Sequence, residues 1–238
     1  HLAVTGVSTL ISKIIPAQDF FYIQVDVIDS YSPYTLHNEL WRSDGTAAGT
    51  FLLKKFDATI SYPLNLGSDI TEYRNNSISG NEMFFAGFTA ANGYELWKSD
   101  GTVSGTVMVK DMTVGATSTP MDGFTRLGSE VYFFTGSGQL WRTNGTDAGT
   151  VNITLPAGLT VYVYNTMVAY NGKLIFVGYD AANGMEPWVS DGTTAGTHII
   201  ANTSPRTDYY YVLKGLMFKE VPGGVLFPQL MTSGSYKV

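Results

Sequence analysis

Short apolar runs recur along the chain in a fixed order, each broken by polar residues and glycine turns. "FFYIQVDV" from Phe20, "EMFFAGF" from Glu82, "EVYFF" from Glu130 and "KLIFVGY" from Lys173 are too short for amphipathic helices. Their aromatic and β-branched residues predict strands. Each is followed by a hairpin and a second strand carrying a tryptophan, at Trp41, Trp97, Trp141 and Trp188. A glycine turn and another strand come next, in "TFLLKKF", "TVMVKDM", "TVNITLP" and "THIIANT". A further short piece opens three of the units: "LISKI" from Leu10, "FTRLG" from Phe124 and "MVAY" from Met167. Before the second unit the segment 64–79 is longer and more polar, so its opening strand is the faintest.

The tryptophans are 56, 44 and 47 residues apart (97−41, 141−97, 188−141). Four-stranded units at a period in the forties predict propeller blades, because one twisted sheet must stack on neighbours to bury its faces. The expected fold is therefore all-β, a β-propeller of five four-stranded blades forming a single domain over 1–238. The blades are placed at 8–57, 64–112, 123–155, 166–202, and 215–238 together with 1–7. In the fifth, "LMFKEVPGGVLFPQLMTSGSYKV" has no tryptophan and stops short of its last strand, which the N-terminal "HLAVTGV" is expected to supply. The alternative is a piece of a longer array. A first residue of His1 fits a processed or trimmed N-terminus.

The turn after each tryptophan strand has its own logic. Asp44, Asp100 and Asp191 precede Gly45, Gly101 and Gly192, and a second glycine follows at 49, 105 and 196. Aspartate there can accept a hydrogen bond from the backbone two residues on, and the glycine takes the positive φ that other residues resist. In the third copy Asn144 precedes Gly145, and Gln139 stands where the others have Glu39, Glu95 and Glu186. Both replacements keep an acceptor and lose a charge, so these positions are expected to be structural. Trp41, Trp97, Trp141 and Trp188 supply a large apolar body suited to packing between blades.

The copies "ELWRSDGTAAGT", "ELWKSDGTVSGT", "QLWRTNGTDAGT" and "EPWVSDGTTAGT" resemble the ELWxxDGT repeat of large bacterial surface and secreted proteins, whose arrays are taken to form β-propellers. The resemblance implies a bacterial, extracellular or cell-surface protein. It brings no reaction and no catalytic residues. Gln139, Asn144, Pro187 and the tryptophan-less fifth unit depart from the pattern.

Composition narrows the function. The 14% of charged residues, the 13% of aromatics and the 26 glycines suit many short strands joined by tight turns. A net charge of −6 with only 14 Lys and Arg, none of them in a basic run, argues against nucleic acid. No apolar run approaches the roughly 18 residues of a spanning helix, so membrane insertion is not expected. The chain has no cysteine, which removes disulfides, thiolate ligands and thiol catalysis. His1, His37 and His198 are too few for a typical zinc centre, and neither a G-x-S-x-G elbow nor a calcium loop is present, so no metal and no cofactor is expected.

Aromatic residues in the non-repeating segments are the better functional signal. Tyr31 and Tyr34, Tyr162 and Tyr164, and Tyr209 and Tyr210 lie there, and Asn92, Tyr94 and Asn183 lie in two related hairpins. A tyrosine beside a short polar side chain suits a sugar, which has an apolar C–H face ringed by hydroxyls. The expectation is non-catalytic, lectin-like binding of a glycan, with a protein scaffold or adhesion role second. A glycoside hydrolase comes third, because Asp19, Asp69, Glu72, Asp122, Asp208 and Glu220 show no spacing that pairs two carboxylates. Packing is the competing role for each tyrosine, and turn formation for each asparagine.

Overall fold

The structure is a computed structural model, and it describes residues 4–58, 64–65, 77–161, 167–202, 219–226, 229–230 and 236–237. It is all-β, with four sheets of four antiparallel strands. The first sheet contains β1 (Ser8–Pro16), β2 (Phe21–Tyr31), β3 (Tyr34–Ser43) and β4 (Phe51–Ala58) in sequence order. The second contains β5 (Leu64–Asn65), β6 (Met83–Thr89), β7 (Gly93–Ser99) and β8 (Val107–Lys110). Here the faint opening strand is only two residues long. The third sheet has β9 (Met121–Leu127), β10 (Glu130–Thr135), β11 (Gln139–Thr143) and β12 (Val151–Ile153), and the fourth β13 (Met167–Tyr170), β14 (Lys173–Asp180), β15 (Gly184–Ser190) and β16 (His198–Ile199). Two hairpins follow, β17 (Lys219–Val221) with β18 (Gly224–Leu226) and β19 (Gln229–Leu230) with β20 (Tyr236–Lys237).

The chain divides into two compact units. One is His1–Gly67 with Ser77–Pro120 and Gly145–Asp147; the other is Ser68–Asn76 with Met121–Asn144 and Ala148–Val238. In the first unit Tyr22, Leu40 and Phe56 of the first sheet meet Met83, Phe85 and Trp97 of the second. Phe56 stands edge-on to Phe85 at 5.8 Å and to Trp97 at 5.2 Å. In the second unit Phe134 and Leu140 of the third sheet meet Leu174, Phe176 and Trp188 of the fourth. The later sheet's tryptophan thus packs on the earlier sheet in both units, and burying such a ring contributes about 1.5–3 kcal/mol or more. Trp41 packs instead with Val25 and Val27 of its own sheet and with Val4, and Trp141 is half-buried.

The N-terminal segment lies along the first sheet as far as it is described, with the Val7 N–H donating to the Ile28 carbonyl at 2.7 Å. His1, Leu2 and Ala3 lie outside the described residues.

Candidate functional site

The repeated turn is closed by its own side chains. The Asp44 carboxylate accepts from the Thr46 N–H at 2.9 Å and from the Thr46 hydroxyl at 2.7 Å. Asp100 does the same with Thr102, and Asp191 with Thr193. Those bonds from Thr46 hold Asp44 below the usual carboxylate range. Gly45, Gly101, Gly145 and Gly192 have φ of 90°, 83°, 85° and 88°, which a side chain resists. Gly105 packs against the Asp100 carboxylate so closely that a Cβ there would collide with it.

One element of the turn escaped the sequence reading. A hydroxyl pair spans each turn: Ser43 with Thr50 at 2.6 Å, and Ser99 with Thr106, Thr143 with Thr150 and Ser190 with Thr197, each at 2.7 Å. The signal was a Ser or Thr before every Asp or Asn, and a Thr seven residues later in every copy.

Two residues before each tryptophan sits the Glu or Gln. Glu39 is 1% exposed. It accepts from Trp41 Nε1 and from Lys55 Nζ, each at 2.8 Å, and lies 3.2 Å from His37 Nε2. His37 Nδ1 lies 2.8 Å from Asp29. Burial works against the Glu39 charge, but the bonds from Lys55, Trp41 and His37 together outweigh it and hold the carboxyl below its ordinary range. Glu39 is thus a paired anion, whereas Gln139 gives Trp141 Nε1 a neutral acceptor at 3.3 Å.

Glu95 has the same place in the second sheet and a different fate. It is fully buried, and its Oε2 accepts the Met112 N–H. Burial pushes its carboxyl up to about 7, with the nearby Asp111 charge adding to the rise and the backbone bonds from Met112 and Thr113 opposing it. Glu95 Oε1, Asp111 Oδ1 and Trp97 Nε1 are buried with no hydrogen-bond partner among the described residues.

The remaining candidates divide by exposure. Tyr31 and Tyr34 face each other across the end of the β2–β3 hairpin, 60% and 57% exposed. That hairpin runs eight residues past Ile23, the partner of Trp41, to Tyr31, whereas β6 runs four residues past Phe85, the partner of Trp97, to Thr89. The difference is about 13 Å of strand at 3.3 Å per residue. Tyr94 is half-buried against Phe88, with ring centroids 5.3 Å apart. Asn92 donates to Asp111 at 3.1 Å, and Asn183 donates to Asp180 and accepts from Asn202 at 3.0 Å. Both asparagines tie a hairpin to the chain beyond the last strand of their sheet. Tyr162, Tyr164, Tyr209 and Tyr210 lie outside the described residues.

Of the acids weighed for hydrolysis, Asp19 accepts from the Asn81 amide at 2.7 Å, and Asp122 accepts the Gly123 N–H at 2.8 Å. Asp69, Glu72 and Asp208 lie outside the described residues, as does the side chain of Glu220. No group of three or more His, Asp or Glu side chains placed to hold a metal occurs among the described residues, and no helix there is long and apolar enough to cross a membrane.

No family model matches the chain, and no curated protein matches it. Among solved structures it is similar to TolB from Agrobacterium tumefaciens, with a TM-score of 0.40 and 14% identity over 78% of this chain and 75% of that one. It is also similar to puromycin hydrolase, at 0.38 and 10%, covering 98% of this chain and only 42% of the hydrolase. A third likeness is to the exo-β-1,3-galactanase of Phanerochaete chrysosporium, at 0.34 and 7%, over 80% of this chain and 53% of that one.

Proposed function

We propose that this chain is a non-catalytic, lectin-like module of a bacterial surface or secreted protein of the ELWxxDGT-repeat kind. In this reading the four sheets are blades of a five-bladed propeller, and the N-terminal segment completes the last. The ligand is a glycan, and the observation that carries the reading is the exposed Tyr31–Tyr34 pair at the end of a hairpin longer than its counterpart in the second sheet. Two aromatic faces held outward on paired strands suit stacking on the apolar face of a sugar at small entropic cost. Asn92, Tyr94 and Asn183 shape neighbouring hairpins in this reading, and Tyr162, Tyr164, Tyr209 and Tyr210 are further contact candidates. Glu39 is engaged by Trp41, and Asp44, Asp100 and Asp191 by their own turns, which supports binding over hydrolysis.

A glycan array run beside a hydrolysis screen on the same sample tests this. Binding should be lost in the Tyr31→Ala, Tyr34→Ala double variant with the melting temperature unchanged. Release of sugar that depends on an acidic residue would replace the reading with a hydrolase. A protein scaffold is the second reading, favoured by β1, which among the described residues pairs with β2 alone and leaves Leu10, Ile11 and Ile14 more than half exposed. A blank array, together with self-association abolished by Ile14→Lys, would favour it.

A further inference from the structure

We propose that Glu95 and Asp111 bind a hard cation of the calcium class, at the place where the first sheet has the ammonium of Lys55 built in. The two sheets share the local frame that makes this comparison possible. In the first, Leu40 pairs with Lys54 and Glu39 with Lys55, after a bulge between Leu40 and Trp41. In the second, Leu96 pairs with Lys110 after the same bulge, which puts Asp111 where Lys55 stands. Lys55 and Asp111 are each five residues past the threonine that ends the turn, Thr50 and Thr106. One carboxylate and one ammonium balance in the first sheet; in the second the register places two carboxylates near each other.

Neighbouring groups do not restore that balance. Lys110 Nζ is bonded to Asp147 at 2.6 Å, and Lys54 Nζ lies over the Trp97 ring, 4.7 Å from its centroid. Asn92 is neutral and gives its amide to Asp111 Oδ2. Glu95 is fully buried, and it and Asp111 each keep one oxygen without a partner among the described residues. Buried carboxylate oxygens without partners are costly, and a bound cation would compensate one on each residue. Two carboxylates are an oxygen-only donor set, which suits a hard ion completing its shell with carbonyl and water oxygens. So few charged ligands imply weak binding, roughly 10⁻⁴–10⁻³ M, as in extracellular calcium modules. The sequence alone pointed to no metal, because the two acids lie 16 residues apart (111−95), one in β7 and one just past β8.

Thermal melting well above neutral pH, with and without millimolar calcium and with sodium chloride matched for ionic strength, tests the site. Calcium should raise the melting temperature of the unmodified chain, and the rise should vanish in Glu95→Gln and in Asp111→Lys. Asp111→Lys gives the second sheet the first sheet's own solution, so it should fold. Terbium emission excited through tryptophan should appear with the unmodified chain and be lost in Asp111→Lys. A melting temperature indifferent to calcium, or an equal rise in Asp111→Lys, would overturn the proposal.

Discussion

Glu39 and Glu95 stand in the same place in two consecutive sheets, each buried and each two residues before a tryptophan, yet their chemistry runs in opposite directions. Glu39 is tied to Lys55, Trp41 and His37, and its carboxyl is held low; burial pushes the Glu95 carboxyl up to about 7, and the nearby Asp111 charge adds to the rise. Much of the difference comes from one position, Lys55 in β4 and Asp111 just past β8, with His37 and Trp41 adding bonds to Glu39. The repeat reproduces a backbone frame, and the electrostatics within that frame are set outside the motif.

The largest test of the shared frame is the tryptophan. Trp97→Ala removes a ring packed on Phe56 and should cost about 3–5 kcal/mol in denaturant unfolding, whereas Trp141→Ala, at a half-buried site, should cost clearly less. Next comes the partner that separates the two glutamates. Lys55→Ala should cost about 1–2 kcal/mol, moderated because the lysine is half exposed and Trp41 still donates to Glu39. That loss should be greatest above the carboxylate range, since the stability Glu39 contributes is present above about 4.5 and disappears as the pH falls through its lowered value.

Glu95 has the opposite sign. Its folded form keeps a proton that the unfolded chain gives up near 4.5, so stability should decline as the pH rises from 4.5 towards 7 and level off above it. Glu95→Gln should flatten that decline and, above neutrality and without divalent ions, stabilise the fold by about 1 kcal/mol, measured as melting temperature against pH. The smallest effect belongs to the turn. Asp100→Asn should change stability by less than about 0.5 kcal/mol near neutral pH, because Asn144 already occupies that position in the third copy. A loss of more than about 1 kcal/mol there would show that the turns require the charge and not the acceptor alone.

Strand order was legible because alternation and glycine turns are local, and all four tryptophan strands fell where the apolar runs put them. The turn was partly legible: Asp44 and Gly45 announce it, while the Ser43–Thr50 bridge spans seven residues and two side chains that look ordinary alone. The Glu95–Asp111 pair was not legible. Its meeting depends on a bulge that shifts the register of β8 by one residue, and register is a property of two strands together. The projection of Tyr31 and Tyr34 was half visible in the longer apolar run from Phe20, but their exposure follows from strands that outrun the second sheet's hairpin.

The hydroxyl bridges also bear on how the chain finds its fold. Each joins residues only seven apart, so closing it costs little loop entropy and needs no contact from another sheet. Four such closures at regular intervals give the chain four independent places to begin a hairpin, and long-range sheet pairing then starts from strands already brought side by side. A fold rich in distant contacts is in this way assembled from local decisions.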